Sequence, residues 1–465
     1  MTWCAKRPRP WVLGGILLST LAMVAGAAPA AAFGHAAFLG SSPEPGARLE
    51  TAPREIAMTF TEPLNGKLSR ASLVRVGDDR KVSVIVRSRT RNRMVVEPPG
   101  DLPTGAYRVR WQSVSTEDGH ALEGTFSFGL RAAAAGGQHV VEQSPLARSG
   151  WIRIATRGVL YATLLLFAGV LLLNVLLGGG RLDSWFAPQS LGAFDADSLA
   201  RVRGRERSLM ADLGLITAAV AVVAVGAEAV DAAGGLSPAG LGDYLLSNGA
   251  GIGRLAVVVL ILAGALMALR SPKLAALPAA LALGAVAVSG HAGSASPRLI
   301  AIAVDWAHLL AAAIWVGGIV AIAVVWWPEL RRCGLRGRLA VAREVLPVFG
   351  LAALPAFMLV VVTGLLSTVI QLGELSALWT TAYGRVLAVK LALVAVLAGA
   401  SSTHAVRLRP RLLGQEAPDL ARTDRRHWRL LRAEPAVALV IAGLAGALVT
   451  FPLPPRQATG AEAAG

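Results

Sequence analysis

The sequence predicts two joined units: an all-β sandwich of Greek-key, immunoglobulin-like type, followed by an all-α bundle of about eight membrane-spanning helices. The chain of 465 residues is 54% hydrophobic and 16% charged, with a mean hydropathy of +0.56. Soluble globular domains carry about 25% charged residues, so most of this chain must lie in lipid. Apolar and polar residues alternate within 35–131, whereas long apolar runs begin near residue 151.

The first 34 residues have the three parts of a secretory signal peptide. Basic residues come first, an apolar stretch runs from Trp11 to about Ala25, and small residues surround a cleavage point after Gly34. We therefore predict that residues 1–34 are removed and that His35 becomes the N-terminus. A retained N-terminal anchor is the alternative.

Residues 35–131 contain short stretches in which apolar and polar residues alternate with period 2, for example at 82–86. This is the pattern of a β-strand with one buried face. Turn-forming residues separate the stretches, as at 43–46 and 77–79. Short strands with frequent turns predict a small antiparallel sandwich. Residues 132–150, rich in Ala and Gly at their start, are predicted to form a linker.

Eight apolar runs follow from residue 151, each long enough to cross a bilayer as a helix. We place these spans at 154–178, 210–231, 252–270, 274–290, 301–327, 345–371, 384–405 and 435–453. The membrane domain is therefore predicted to occupy residues 151–453, followed by a C-terminal tail at 454–465.

Basic residues are distributed unequally between the two sides of the predicted bundle. The loops after the first, third, fifth and seventh spans hold twenty of them, whereas the opposite loops hold four, Arg254, Arg298, Arg385 and Arg456. The positive-inside rule places the arginine-rich loops in the cytoplasm. The β-domain and the C-terminus are then extracytoplasmic. This distribution explains the net charge of +16 without nucleic acid as a partner.

The residues of the β-domain best suited to bind a metal are His35, Asp118 and His120. Asp118 and His120 are two residues apart on an extended segment, so their side chains can reach one point. A mature N-terminus at His35 adds an α-amine and an imidazole, and a nitrogen-rich set of this kind suits Cu(II). Ordinary surface histidines are the alternative. With only Cys4 and Cys333 in the chain, neither a disulfide framework nor a cysteine zinc site is expected.

Ionisable residues within the predicted spans are few, and they are functional candidates because charge is costly in lipid. Asp305 and His308 share a face of the fifth span, with Trp315 two turns further along it. His291 ends the fourth span, and Lys390 lies two turns into the seventh at the same level. We predict that these residues line a transport path. An ion pair of Asp305 that only staples helices is the alternative.

Three further histidines lie elsewhere in the chain. His404, at the other end of the seventh span, is included in the predicted path. His139 in the linker and His427 in a basic loop are predicted to be solvent-exposed and without a role. The pair Gly317-Gly318 is predicted to allow close approach of a neighbouring helix.

Several motifs follow one another along the β-domain in a characteristic order. They are His35-Ala36, Ser42-Pro43-Glu44-Pro45-Gly46, Phe60-Thr61-Glu62-Pro63, Trp111 to Ser115, and Asp118-Gly119-His120. Together they resemble the CopC-like periplasmic copper-binding domain along its whole length. The resemblance implies Cu(II) binding by His35 and His120 beside Asp118, with Glu62 at an acidic position near the site. The methionine cluster that some members use for Cu(I) is missing, so no Cu(I) site is expected in this domain.

A second group of motifs lies in the membrane region. They are Asp305-Trp306-Ala307-His308, Trp315-Val316-Gly317-Gly318, Thr363-Gly364, and Tyr383-Gly384-Arg385 leading to Lys390. They resemble the CopD-like copper-transport membrane domain over roughly 151–453. The joined order resembles CopC–CopD fusions, which implies a multi-pass protein of the bacterial cytoplasmic membrane. The resemblance implies capture of Cu(II) outside and passage of copper through a permease for import. We expect the ion to cross as Cu(I), because neutral imidazoles in lipid hold one charge at a lower cost than two.

Other functions remain open at the level of sequence. The chain lacks a Walker A run, so no ATP-driven motor is expected. A copper oxygenase with an N-terminal histidine brace is the enzyme alternative for the β-domain. Its attachment to eight membrane helices argues against degradation of a polymer, so no enzyme activity is expected. A haem-binding membrane electron-transfer protein is one alternative, with His291 paired to His308 or His404. A copper-sequestering or resistance protein without transport is another. A copper chaperone or a reductase is a candidate partner, and the oligomeric state is not set by the sequence.

Overall fold

The structure is a computed structural model. It describes residues 36–117, 119, 121–135, 141–142, 150–177, 194–295, 297–372, 374–414 and 417–449. Several predictions fall on other residues, namely the signal peptide, His35, Asp118, His120, His139 and the C-terminal tail. Those predictions lie outside the described residues.

The β-domain consists of two sheets that enclose one hydrophobic core. Its strands are β1 (Phe38–Ser42), β2 (Arg48–Leu49), β3 (Ile56–Phe60), β4 (Arg70–Val76), β5 (Lys81–Val82), β6 (Ile85–Thr90), β7 (Arg93–Glu97), β8 (Gly105–Val114), β9 (Ala121–Leu130) and β10 (Val141–Glu142). One sheet has the order β1-β3-β7-β6, and the other has the order β10-β9-β8-β4-β5. The strand β2 pairs in parallel with β9, and the other pairs are antiparallel.

Alternation along the strands determines which side chains form this core. Tyr107, Val109 and Trp111 of β8 are buried, with arginines between them that face away. Met58 and Met94 lie opposite each other on β3 and β7, and both are buried. The predicted β-sandwich is therefore confirmed, and its two methionines are core residues with no sulfur facing solvent.

Among the described residues, eight helices are long and apolar enough to cross a membrane, which is the predicted number. They are α1 (Trp151–Leu177), α2 (Ala196–Ala233), α3 (Gly249–Ala268), α4 (Pro272–Ser289), α5 (Arg298–Arg332), α6 (Gly334–Leu372), α7 (Ala382–Leu412) and α8 (Asp419–Leu448). Short helices at Pro238–Leu246, His291–Ser294 and Ala377–Thr380 connect some of them. Each of α6 and α7 contains one π-helical turn, at Val341–Val345 and Thr403–Leu408.

Three helices, α2, α6 and α8, extend well beyond the apolar runs from which they were predicted. Hydropathy marks only the lipid-spanning part of a helix, whereas helical hydrogen bonding continues through polar turns. Ion pairs hold these polar extensions together, as between Arg338 of α6 and Asp424 of α8 at 2.7 Å. Residues 422–432, predicted to lie in a loop, are therefore part of α8.

The two ends of the bundle are distinguished by the β-domain, which contacts only one of them among the described residues. We call this the β-proximal end and the other the distal end. The β-proximal end holds the starts of α1, α3, α5 and α7 and the ends of α2, α4, α6 and α8. Arg157 of α1 illustrates this arrangement, because its guanidinium contacts Glu228 near the end of α2 and the carbonyl of Val449 after α8.

Helices α1 and α5 approach each other closely at glycines. A Cβ added to Gly169 would lie 2.0 Å from the carbonyl oxygen of Ala313, and one added to Gly317 would lie 2.9 Å from the Cα of Gly169. A Cβ on Gly318 would lie 2.2 Å from the ring of Phe349. The predicted close helix approach at Gly317-Gly318 is therefore confirmed.

The β-domain is docked onto the β-proximal end through polar and apolar contacts. Lys67 forms an ion pair with Asp243 at 2.7 Å, and the amide nitrogen of Asn65 donates to the hydroxyl of Ser247 at 2.9 Å. An apolar cluster crosses the interface and consists of Leu68, Val114, Ala229, Ala232 and Tyr244. The two units thus contact each other through side chains as well as through the connecting chain.

Candidate functional site

The described neighbours of the predicted Cu(II) ligands lie at one end of the sandwich. Ala36 is buried, and its carbonyl accepts a hydrogen bond from the hydroxyl of Ser113 at 2.7 Å. Ala121, which follows the 118–120 motif, pairs with Val114 of the adjacent strand. The segment before β1 and the segment before β9 therefore meet at the end of β8. The three predicted ligands themselves lie outside the described residues.

Glu62 is buried behind the segment that leads into the 118–120 motif. Its carboxylate accepts a hydrogen bond of 2.5 Å from the hydroxyl of Ser115. The same hydroxyl oxygen accepts a hydrogen bond of 3.0 Å from the backbone N–H of Glu117. The structure thus places Glu62 as a hydrogen-bond acceptor that fixes the backbone before the motif.

Gly119, in the middle of that motif, rests against the membrane bundle. Its φ of +69° is in the left-handed region that favours glycine. A Cβ at this position would lie 2.2 Å from the Nη1 atom of Arg254 at the start of α3. A side chain at this position would have to displace the guanidinium of Arg254. The motif therefore contacts the β-proximal end at Arg254.

Arg254 belongs to a buried cluster in which two guanidiniums share one carboxylate. Its Nε donates to Glu228 at 2.9 Å, and Arg157 forms a second ion pair with Glu228 from the opposite side. The hydroxyl of Tyr244 donates to the same carboxylate at 3.3 Å. Burial raises the pKa of Tyr244 well above its ordinary value, so the phenol remains a donor. The cluster joins α1, α2, α3 and the short helix Pro238–Leu246.

Glu228→Gln is expected to destabilise the docked arrangement strongly. The substitution leaves two guanidiniums buried without their carboxylate, and breaking a buried pair in this way costs about 3–5 kcal/mol. Asp231→Asn is the matched control, because the pair Arg153–Asp231 is 34% and 44% exposed and exposed pairs contribute about 0–1 kcal/mol. Thermal unfolding of the detergent-solubilised protein measures both. Equal stability of the two variants would contradict the assigned role of Glu228.

A cavity of about 350 Å³ begins at the β-proximal end of the helical region. His291, Asp305, His308, Trp315 and Lys390 all line it. The remaining walls are mostly apolar and come from α1, α6, α7 and α8. Five of the six residues predicted to form a transport path are therefore brought to one cavity.

The surroundings of His308 define which ring nitrogen is available to a ligand. Its Nδ1 lies 2.9 Å from the hydroxyl oxygen of Thr363, whose own proton is donated to the carbonyl of Leu359. The hydroxyl must therefore accept from Nδ1–H, which leaves the lone pair on Nε2. A Cβ on Gly364 would lie 3.3 Å from Cε1 of His308. Gly364 thus leaves room for the imidazole of His308, and Thr363 selects its tautomer.

The other cavity residues differ in their surroundings. His291 is buried, with its ring 6.3 Å from that of Tyr383. Trp315 packs against Phe357 with ring centroids 4.9 Å apart. The ion pairs between described residues do not include Asp305 or Lys390. Helix stapling by a direct ion pair of Asp305 is therefore not observed.

His404 is not part of this cavity. Its Nδ1 lies 2.8 Å from the carboxylate of Glu434 on α8. The prediction that His427 is solvent-exposed is wrong, because His427 lies within α8 and is fully buried. Its ring centroid is 5.5 Å from that of His404. The error follows from reading the charged residues around His427 as a loop, whereas they form the polar face of a helix.

Two histidines of the membrane region, His404 and His427, lie close together, and two others, His291 and His308, line the same cavity. Across the described ranges, no group of three or more His, Cys, Asp or Glu side chains has the arrangement of a metal site. Burial raises the pKa of the Cys333 thiol, so this residue does not offer a thiolate at neutral pH. The available ligands of the described membrane region are therefore imidazoles and carboxylates.

Comparison with protein families gives two matches. The model of the CopC domain matches residues 38–131, and the model of copper resistance protein D, CopD, matches residues 343–448. The first match covers nine of the ten strands, and the second covers most of α6 together with α7 and α8.

Individual relatives are similar to the whole chain or to its β-domain. Copper transport protein CutJ of Bacillus subtilis (strain 168) is 26% identical over 467 residues, which cover 97% of this chain and 79% of CutJ. Copper resistance protein C of Xanthomonas campestris pv. juglandis is 32% identical over 123 residues, covering 25% of this chain and 95% of that protein. The crystal structure of PcoC, a methionine-rich copper resistance protein from Escherichia coli, is 31% identical. It covers 21% of this chain and 98% of PcoC, with a TM-score of 0.19.

Proposed function

The chain belongs to the family of copper transport and resistance proteins that join a CopC domain to a CopD domain, and we propose that its β-domain captures copper and delivers it to the membrane cavity for import. It is a multi-pass membrane protein of a transport family, not an enzyme. The observation that carries the proposal is the contact of Gly119, between the two candidate ligands Asp118 and His120, with Arg254. This contact lies at the end of the bundle where the histidine-lined cavity begins.

Capture is assigned to Cu(II) bound by the amine and imidazole of His35 and by the imidazole of His120, with Asp118 beside them. The proposal requires removal of residues 1–34, because an amide nitrogen at His35 cannot coordinate as an amine does. Hydrogen bonding of Ala36 to the end of β8 supports it, since the chain next to His35 is fixed there. Glu62 is assigned a supporting role: through Ser115 it fixes the backbone that leads into residues 118–120.

Transfer into the membrane is assigned to Cu(I). A single charge is less costly to hold in a low-dielectric cavity than a double charge, so reduction by a separate reductase must precede entry. His308 offers Nε2 to the ion, His291 offers a second imidazole, and Asp305 supplies negative charge at the same cavity. Two imidazoles suffice for a low-coordinate Cu(I) ion that is passed onward.

Import is proposed from the resemblance to CopC–CopD fusions, and the proposed orientation agrees with it. Twenty basic residues are assigned to the distal side, most of them in the distal turns of helices, so the distal end is proposed to face the cytoplasm. The β-domain then lies outside the cytoplasmic membrane, where it meets copper first. In this scheme residues 35–131 form the capture domain, residues 132–150 the linker, which includes the short strand β10 paired with β9, and residues 151–453 the transport domain.

The proposal is tested by cellular copper content at limiting copper, measured with and without expression of the full chain. Import predicts a higher copper content in expressing cells, and equal or lower content contradicts it. Sequestration without transport is recognised when copper remains accessible to an external chelator. A Soret absorption band in the purified protein would instead support the haem-binding alternative. That alternative is disfavoured for the pair His308 and His404, because His404 lies outside the cavity that His308 lines.

A further inference from the structure

A second pair of histidines lies deeper in the bundle, between α7 and α8, beyond the cavity. We propose that His404 and His427 form a two-coordinate Cu(I) site through which copper leaves the transport domain toward the distal end. The inference rests on the proposed function, since it takes copper as the transported ion. It adds a metal site that is separate from both the capture site and the cavity.

The contact of His404 with Glu434 resembles the arrangement of metal-binding histidines. A histidine that binds a metal with one nitrogen usually donates its other N–H to a carboxylate or carbonyl, which fixes the tautomer and raises ligand basicity. Nδ1 of His404 lies 2.8 Å from the Glu434 carboxylate. A carboxylate accepts hydrogen bonds, so Nδ1 carries the proton and Nε2 keeps its lone pair.

His427 packs against the rings of His404 and Trp428, but no hydrogen bond to a described residue explains the burial of its polar nitrogens. It is fully buried, and neither ring nitrogen has a hydrogen-bond partner among the residues that the structure describes. A buried polar group without a partner costs about 1–3 kcal/mol. Coordination of an ion by one of its nitrogens would remove most of this penalty, whereas packing alone leaves it in place.

The separation of the two rings is within the limit for one ion held between them. Their centroids are 5.5 Å apart, with an interplanar angle of 82°. With metal–nitrogen bonds of about 2.0 Å, an ion shared by two imidazoles keeps their centroids within about 6.5 Å. Two neutral imidazoles suit Cu(I), and the nearby Glu434 carboxylate, 1% exposed, balances its single charge.

The position of the pair continues the line of the cavity. The cavity wall extends along α7 as far as Ala398 and along α8 as far as Ile441. His404 is six residues beyond Ala398, and Glu434 is seven residues before Ile441. At about 1.5 Å per residue these separations are roughly 9 and 10 Å. The deep end of the cavity therefore points along both helices toward the pair.

A local feature of α7 also distinguishes this position. His404 lies in the π-helical turn Thr403–Leu408. Single π-helical turns inside α-helices are found frequently at functional sites, because they shift side chains out of the regular helical register. A hydrogen bond that only staples α7 to α8 would need Glu434 and His404, but it would need neither this turn nor a buried His427.

The test is anaerobic Cu(I) titration of the purified full-length protein against a competing chelator. His427→Leu is expected to lose one equivalent of bound Cu(I) and to reduce copper uptake per molecule at least tenfold. Its unfolding temperature should be equal or higher, because an unpartnered polar ring is replaced by an apolar side chain. His404→Gln keeps a hydrogen-bond donor for Glu434, so the contact between α7 and α8 is retained. This second variant should also lose one equivalent of bound Cu(I).

Matched controls separate this inference from the proposed function. His308→Ala should abolish copper uptake. It should still bind the one equivalent of Cu(I) that is lost in His427→Leu. X-ray absorption of that variant should show Cu(I) with two nitrogen ligands. If both His427→Leu and His404→Gln bind as much Cu(I) as the unmodified protein, the proposed site of His404 and His427 is overturned, whatever the uptake result. If the unmodified protein takes up no copper, the proposed function is overturned. The Cu(I) titration then still decides whether His404 and His427 bind the ion.

Discussion

His308→Ala is expected to abolish copper uptake while Cu(II) capture by the β-domain is retained. His308 is held by Thr363 so that Nε2 has a free lone pair, and its side chain lines the cavity with His291 and Asp305. Loss of the imidazole leaves the cavity with one nitrogen ligand, which is too few to hold Cu(I) against water and thiols. The capture site is on a separate folded unit, so the two effects are separable.

The measurement is copper uptake normalised to the amount of protein in the membrane, together with Cu(II) binding by the same preparation. Thr363→Val is expected to reduce copper uptake less than His308→Ala does, because it removes only the hydrogen-bond acceptor that fixes the tautomer of His308. Asp305→Asn should also have a smaller effect than His308→Ala, since it changes the charge and not the ligand. His139→Ala, a histidine outside the proposed path, is the matched control. Normal uptake per molecule in His308→Ala would rule out this role.

The sequence was sufficient for the number of spans but not for their ends. Apolar runs predict where a helix crosses lipid, and all eight were found. The N-terminal part of α8 was missed because its polar turns have no hydropathy signal. They are stabilised by tertiary contacts such as Arg338–Asp424, which depend on α6 lying alongside. His427 was misplaced for the same reason.

The cavity was predictable because ionisable residues in lipid are rare and their helical spacing places them on one face. Asp305 and His308 were identified in this way, and both line the cavity. The contact of Gly119 with Arg254 was not predictable. It joins two units through residues far apart in the chain, and neither periodicity nor charge pattern contains such information.

His120→Ala is expected to weaken Cu(II) binding by more than about 100-fold. The proposed site has three nitrogen ligands, two from His35 and one from His120, and removal of one opens the chelate. Groups that only support a ligand are already worth about 10–100-fold in metal affinity. Glu62→Gln should therefore have a smaller effect, because it weakens the hydrogen bond with Ser115 and leaves every proposed nitrogen ligand in place.

The pH dependence of binding provides the second measurement on the same variants. Ligand nitrogens must be deprotonated to bind the ion, and the reference pKa values are about 7.7–8.0 for an α-amine and about 6.5 for an imidazole. Affinity should therefore fall as the pH is lowered from 8, and fall more steeply below 6.5. In His120→Ala one imidazole no longer competes for protons, so the slope below pH 6.5 should be shallower than in the unmodified protein. A pH-independent affinity, or the same slope in both proteins, would contradict the proposed ligand set. Protein that retains residues 1–34 should lack the contribution near pH 8, because its His35 nitrogen is an amide.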